Sequence, residues 1–214
     1  MKASLHDMKR RVAIIIFAVV LIGAGSGFAA WHYWTHRFDD LIVAVARKHT
    51  LDPALVKAII YEESFFNPRA HSSQNAVGLM QVTPVAAREW MAATRSASLR
   101  EAIAKISDEV PDGREPEFEE ALTDPSVSLH AGCWYMNSLL ARYQGESDSL
   151  AFALAAYNAG PSNVDRWVET SNRSRLSREE FISRIEFPST RIYVRNIIRR
   201  YDYYKKDSRL KPER

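Results

Sequence analysis

Residues 12–30 contain no charged side chain and follow directly on Lys9, Arg10 and Arg11. No other stretch limits the folding options of the chain so tightly. A helix needs about 20 apolar residues to cross the hydrocarbon of a bilayer, and this run has 19. Trp31, Tyr33 and Trp34 follow it, at the depth where aromatic rings settle at a membrane interface. A cationic cluster ahead of the run puts the amino terminus in the cytoplasm and everything after the run outside. The expected layout is a cytoplasmic amino terminus over 1–11, a single-pass anchor in the inner membrane over 12–34, and a body exported to the periplasm. Gly27, Phe28 and Ala29 also make a small-x-small cleavage site, so a removed signal peptide is the alternative, and it exports the same body. A lipoprotein is not expected, because no Cys lies near the end of the run. A core helix would leave the flanking cations without a purpose.

The remainder has the size and apolar content of one globular domain. Of the 214 residues, 46% are hydrophobic, enough for a sizeable core. A net charge of +3 is mildly basic. It suits an acidic polymer or a membrane surface and falls well short of a nucleic-acid footprint, so no nucleic acid is expected as partner. Cys133 is the only cysteine, which excludes an internal disulfide and a thiolate metal site. Its apolar surroundings mark it as a small buried hydrophobe.

Helix signals dominate this body. Phe38, Leu41, Ile42, Val45 and Ala46 repeat at helical spacing and predict a first helix of about three turns. Asp52-Pro53, Thr83-Pro84 and Asp124-Pro125 each pair a capping residue with proline at the first helical position. Asp148 caps a run of small apolar residues that ends at Gly160-Pro161. A last helix is expected from Thr190 to about Lys206, followed by a basic tail over 207–214 that is polar enough to fray. Strand signals are confined to a short ribbon within 70–82. The fold class is therefore mainly α, a helical domain over 38–206 with a short β-ribbon, preceded by one transmembrane helix. Residues 96–122 are charged and lack an apolar period. They read as a surface insertion, with a short amphipathic helix at 99–106 as the alternative.

One carboxylate stands out against this pattern. Glu63 closes the helix that starts at Asp52, and at about 100° per residue Val56, Ile59 and Ile60 lie within roughly 60° of it around the axis. Glu62 is swung about 100° to the flank. A carboxyl group on a core-facing stripe is costly to ionise, so its pKa should rise, and an acid kept protonated near neutral pH can protonate a glycosidic oxygen. Periodicity leaves a second reading open, a helix-end Glu that bends out to water or pairs with an Arg.

Three further segments carry more than packing requires. Glu63-Ser64 is followed by a proline four residues on, GLMQ stands at 78–81, and AYNAG stands at 156–160. Taken alone, Gly78 reads as an ordinary turn, Gln81 as a surface residue and Tyr157 as a core aromatic. In this order, and with FPSTRIYV at 187–194, they resemble a family, the lytic transglycosylases of the soluble-lytic-transglycosylase type, whose catalytic domain is lysozyme-like and of the goose type. The resemblance runs from about residue 38 to 204 without the 96–122 insertion. It implies a peptidoglycan-cleaving enzyme with Glu63 as catalytic acid and base, and Glu62 as a bystander. It also implies that Ser64 holds the helix end or the substrate, that Ser72 contacts substrate, and that Gly78, Met80 and Gln81 line the cleft. Tyr157 would orient Glu63 by a hydrogen bond, Asn158 would anchor a loop or the substrate, and Tyr193 would be the cleft tyrosine of the last motif.

The chain departs from the family's pattern twice. Ser189 stands where relatives often carry a Glu, which puts a second acidic contact in doubt and raises the question of whether Glu186 replaces it. Thr83 stands where many relatives have a Met. The implied partners are peptidoglycan glycan strands and the inner membrane, and no motif names a protein partner. The implied chemistry uses no cofactor and no metal. Glu63 would protonate the oxygen between N-acetylmuramic acid and N-acetylglucosamine, then take the proton from the C6 hydroxyl as a 1,6-anhydro ring closes. Two alternatives share the fold, a muramidase-type hydrolase that uses water and a non-catalytic peptidoglycan-binding scaffold.

Overall fold

Asp52, Asp124 and Asp148 cap helices as their sequence context predicts. In the computed structural model, which describes residues 2–94, 118–169 and 176–211, Asp52 accepts from the Ala54 amide. Asp124 accepts from Ser126 and Val127, and Asp148 from Ala151. Each side chain satisfies backbone donors that have no partner within the first turn. Residues 1–38 and 39–214 form two separate units.

The first unit is the helix α1, Lys2–His36. Its large apolar side chains from Val12 to Ile22 are about half or more exposed, and it is long and apolar enough to cross a membrane. A helix whose greasy surface meets no protein needs another apolar medium around it.

The second unit is a bundle of helices: α2 (Asp39–Lys48), α3 (Pro53–Ser64), α4 (Pro84–Thr94), α5 (Phe118–Ala121), α6 (Pro125–Arg142), α7 (Ser149–Ala159), α8 (Pro161–Val168), α9 (Arg178–Arg184) and α10 (Pro188–Tyr204). α7 is its axis. Ala151, Phe152, Ala153, Leu154, Ala155 and Ala156 are all fully buried, as expected of a helix that is apolar all round. The alanines let α6, α8 and α10 approach closely. α3 packs along α10 and α2, burying Leu55, Val56, Ile59 and Ile60. α2 buries Ile42, Val45 and Ala46 as the spacing predicts. Cys133 is fully buried, and burial pushes its thiol pKa up.

A buried ion pair joins α2 to α3. Lys57 Nζ donates to Asp39 Oδ1 at 2.5 Å, and Lys57 is fully buried. Burial pulls the lysine's pKa down, while Asp39 pulls it back up.

Three expectations need adjustment. The ribbon within 70–82 takes the form of two isolated antiparallel bridges, His71 to Val77 and Val77 to Val82. The tail does not fray where it begins: Asp207 caps a 3-10 turn at Ser208–Leu210, Leu210 is buried, and Arg47 donates to the Lys211 carbonyl. An apolar side chain three residues past the capping Asp supplies the anchor that a polar tail would lack. α9 is passed over by the sequence reading, although its capping box, Ser177 with Glu180, is a start signal. The 96–122 insertion and its alternative helix at 99–106 lie outside the described residues, apart from 118–122, where α5 forms.

Candidate active site

The apolar stripe of α3 carries its last turn into the wall of a cleft. Phe65 and Phe66 follow with φ of 48° and 60°. Two successive left-handed residues turn the chain sharply at a steric cost. Full burial of Phe66 offsets it, as do edge contacts from the Tyr61 ring to both phenylalanines. Glu63 is thereby left half-buried at the helix end, lining a cleft of about 510 Å³.

Burial raises the Glu63 pKa to about 7, and the negative charge of Glu62 pushes the same way. A hydrogen bond from Tyr193 Oη to Glu63 Oε1, 2.5 Å long, works against that rise. The net result is a carboxyl group that can give a proton near neutral pH and take one back. Glu62 lies on the flank, as helical geometry predicts. Asn196 donates to one of its oxygens at 3.2 Å and Arg200 to the other at 3.3 Å, while Arg200 also stacks on Tyr61.

Opposite Glu63, the segment 78–81 is pinned from three helices. Ser64 Oγ donates to the Leu79 carbonyl at 2.8 Å. Ser128 Oγ of α6 accepts from the Met80 amide at 3.2 Å. Tyr157 Oη of α7 donates to the Met80 carbonyl at 2.8 Å. One residue is thus held at its amide and its carbonyl by different helices. Gly78, at φ +86°, has no room for a side chain: a Cβ there would lie 2.1 Å from the Leu122 carbonyl oxygen. A Cβ on Gly132 would lie 2.6 Å from Met80 Cβ, so α6 is cut away to seat Met80. The tether leaves Gln81 at φ 48°. Its Nε2 donates to the Ala70 and Gly78 carbonyls at 2.9 and 3.1 Å, so the amide's donors are spent on the loop.

These contacts correct several sequence-based roles. Tyr157 does not orient Glu63; Tyr193, the sixth residue of α10 and on its buried face, makes that bond. Gly78 and Met80 are not part of the cleft wall, because both are buried behind it. Ser64 holds the helix end to the Leu79 backbone and does not line the cleft. Gln81, Tyr157 and Asn158 do line it, and Asn158 Oδ1 accepts from Thr190 Oγ1 at 2.7 Å. Ser72 lines it too, with its Oγ accepting from the Gln74 and Ala76 amides. Ser189 and Thr83 are on the wall, whereas Glu186 is exposed and faces Arg166 at 3.6 Å. The sequence reading missed Ser128, although a serine on the buried face of α6 is the same kind of signal as Glu63 on α3. It also missed Asn163, a lining residue with no periodic mark, and it gave Phe187, which opens the FPSTRIYV segment, no place on the wall.

Residues 40–179 match the family described as "Transglycosylase SLT domain". The chain belongs to this family. A soluble lytic murein transglycosylase of Salmonella typhimurium is 30% identical over 179 residues, which cover 82% of this chain and 24% of that protein. Membrane-bound lytic murein transglycosylase F of Desulfosudis oleivorans is 33% identical over 131 residues, covering 60% of this chain and 23% of the relative. Among solved structures, the 70 kDa soluble lytic transglycosylase of Escherichia coli superposes with a TM-score of 0.59 at 26% identity, over 81% of this chain and 25% of that one. A complex of the 70 kDa soluble lytic transglycosylase with bulgecin A gives a TM-score of 0.62 at 25% identity, over 83% and 26% of the two chains. The chain thus spans about a quarter of the length of these relatives, and the part they share is the SLT domain with its helical, lysozyme-like fold.

Proposed function

We propose that this SLT domain is a peptidoglycan lytic transglycosylase. In this reading it cuts the β-1,4 bond between N-acetylmuramic acid and N-acetylglucosamine and releases a 1,6-anhydromuramoyl end. The observation that carries the reading is Glu63, an acid with a pKa of about 7 and the only Asp or Glu among the described residues lining its cleft. Ordinary glycosidases place two carboxylates across the scissile bond. A single acid suffices when the sugar supplies its own nucleophile. Glu63 protonates the leaving oxygen, and the C1–O bond breaks. The ionised Glu63 then takes the proton from the C6 hydroxyl as that oxygen bonds to C1. No water is consumed, and Glu63 ends protonated as it began. Tyr193 holds the carboxyl in place throughout, while Gln81, Asn158 and Ser72 meet the sugar from the wall.

α1 serves in this reading as a single-pass anchor over 12–34 in the inner membrane. Residues 1–11 are then cytoplasmic and the domain over 38–206 lies in the periplasm beside its substrate. The cations at 9–11, the exposed apolar surface of α1 and the membrane-bound relative support it.

Digestion of purified sacculi followed by mass spectrometry tests the reaction. Anhydro-ended fragments are expected. Fragments one water heavier would overturn the lyase in favour of a hydrolase, and binding without cleavage would favour a scaffold. Glu63→Gln should lower turnover about 10²–10⁴-fold, the usual contribution of a positioned acid.

A further inference from the structure

The cleft wall is electrically bland. Among the described residues, apart from Glu63 and Tyr157, its side chains are hydroxyls, amides, alanines and one phenylalanine, with no cation among them. Peptidoglycan strands are not bland, since peptide stems on the muramyl sugars carry carboxylates. A wall of neutral donors and acceptors has no means of telling a charged strand from an uncharged one.

One cation reaches the wall from outside. Arg166 on α8 donates from Nη2 to Asn163 Oδ1 at 2.9 Å, and Asn163 lines the cleft. Asn163 is itself fixed, with its Nδ2 donating to the Ala159 carbonyl at 2.6 Å. Among the described residues, Arg166 is the only cation hydrogen-bonded to a side chain of the wall. Its other partner is Glu186, with Nη2 3.6 Å from Oε2 and the two side chains 57% and 60% exposed. An open, single-point pair of this kind contributes little and exchanges readily. A guanidinium offers a flat fork that a carboxylate can engage at two points. The neighbouring acid, Asp165, pairs with Arg142 at 2.6 Å.

We infer that Arg166 is a specificity residue that reads stem-peptide carboxylates at the rim of the cleft, and that Glu186 occupies it until substrate arrives. The inference rests on the glycan-strand reading above. Arg166 sits outside the proton-transfer site, so it acts on binding. Glu186 is a competitor for Arg166, and this answers the question raised by Ser189: the acid three residues upstream does not replace the missing Glu in the cleft.

The test compares soluble glycan strands with free stem carboxylates against the same strands capped as methylamides, using the full chain in detergent micelles. Wild type should show a lower KM on the charged strands, and added salt should erase the difference. Arg166→Gln should raise KM on charged strands about two- to fivefold more than on capped strands, the scale of one exposed charge contact. Arg166→Lys should restore part of the difference. Glu186→Gln should lower KM on charged strands. Opposite signs for the two variants are not expected of a salt bridge that merely supports the fold. Equal effects on both strands, or a rise in KM for both variants, would overturn the proposal. Binding of the two strands to Glu63→Gln gives the same comparison without cleavage, so a failure of the enzymatic reading is distinguishable from a failure of this one.

Discussion

Tyr193 donates to Glu63 Oε1 across the contact between α10 and α3, over 130 residues of sequence. The bond fixes one carboxyl oxygen and favours the ionised form, while burial favours the neutral one. The site's proton affinity is therefore a balance between two elements that the chain brings together only on folding.

Removing the phenol shifts that balance in a known direction. In Tyr193→Phe, Glu63 loses the contact that lowers its pKa, so its pKa rises above about 7. Activity that needs the protonated acid falls as pH rises through that value, so the alkaline limb of kcat/KM should move to higher pH. Below the limb, where Glu63 is protonated in both proteins, turnover should fall on the order of tenfold, because one positioning hydrogen bond is worth about 1–2 kcal/mol. A pH–rate profile checks both effects; a limb that does not move would show that the bond does not tune Glu63.

The same raised pKa costs stability. An acid with a pKa of about 7 in the folded state and about 4.5 unfolded binds more protons when folded between those values. Stability therefore falls as pH rises through that window. Glu63→Gln removes the penalty. The variant should match wild type near pH 4 and exceed it at pH 8, by on the order of 1–3 kcal/mol. Denaturant melts at the two pH values provide the measurement, and a gain of equal size at both would point to packing instead.

Ser128 and Tyr157 grip the amide and the carbonyl of one residue, Met80, and this predicts non-additivity. Ser128→Ala leaves a buried amide without an acceptor, at a cost of about 1–3 kcal/mol. Tyr157→Phe releases the carbonyl. Once either clamp is gone, the segment can relax and the second clamp matters less. The double variant should lose less stability than the sum of the single losses, with a coupling of about 0.5–2 kcal/mol. Strict additivity in a double-mutant cycle would separate the two contacts.

Lys57 and Asp39 are buried together away from the cleft. Lys57→Met leaves Asp39 without its cation and should destabilise the domain by about 3–5 kcal/mol, whereas Lys57→Met combined with Asp39→Leu should recover most of the loss. Melting curves of the single and double variants decide. Failure of the double variant to recover would give the pair a role beyond charge neutralisation.

How much of this could be read from sequence depends on the range of the interaction. Asp52, Asp124 and Asp148 act on amides two or three residues away, so their helices start where the local pattern puts them. Glu63 was visible because its anomaly is also local, an acid on a stripe set by neighbours three and four residues distant. The orienting tyrosine was not, since Tyr157 and Tyr193 both sit in motifs and only the packing of α3 on α10 decides between them. Gly78 and Met80 belong to a motif beside the cleft, but the motif's composition does not reveal that it is there to be clamped. Leu210 shows the converse: one apolar residue in a polar tail is a weak signal that becomes an anchor once α2 offers it a place.

The tethered segment at 78–81 has a consequence for ligand design. Its backbone is already bonded to Ser64, Ser128 and Tyr157, and the donors of Gln81 are already committed, so the part of the wall that Gln81 forms has little conformational freedom left to lose on binding. A rigid inhibitor shaped to it would gain affinity from preorganisation on both sides of the interface. Resistance by adjusting the wall would require coordinated changes on three helices. Single substitutions that escape such a compound are expected to concentrate at the untethered rim, where a side chain can change without disturbing the clamp.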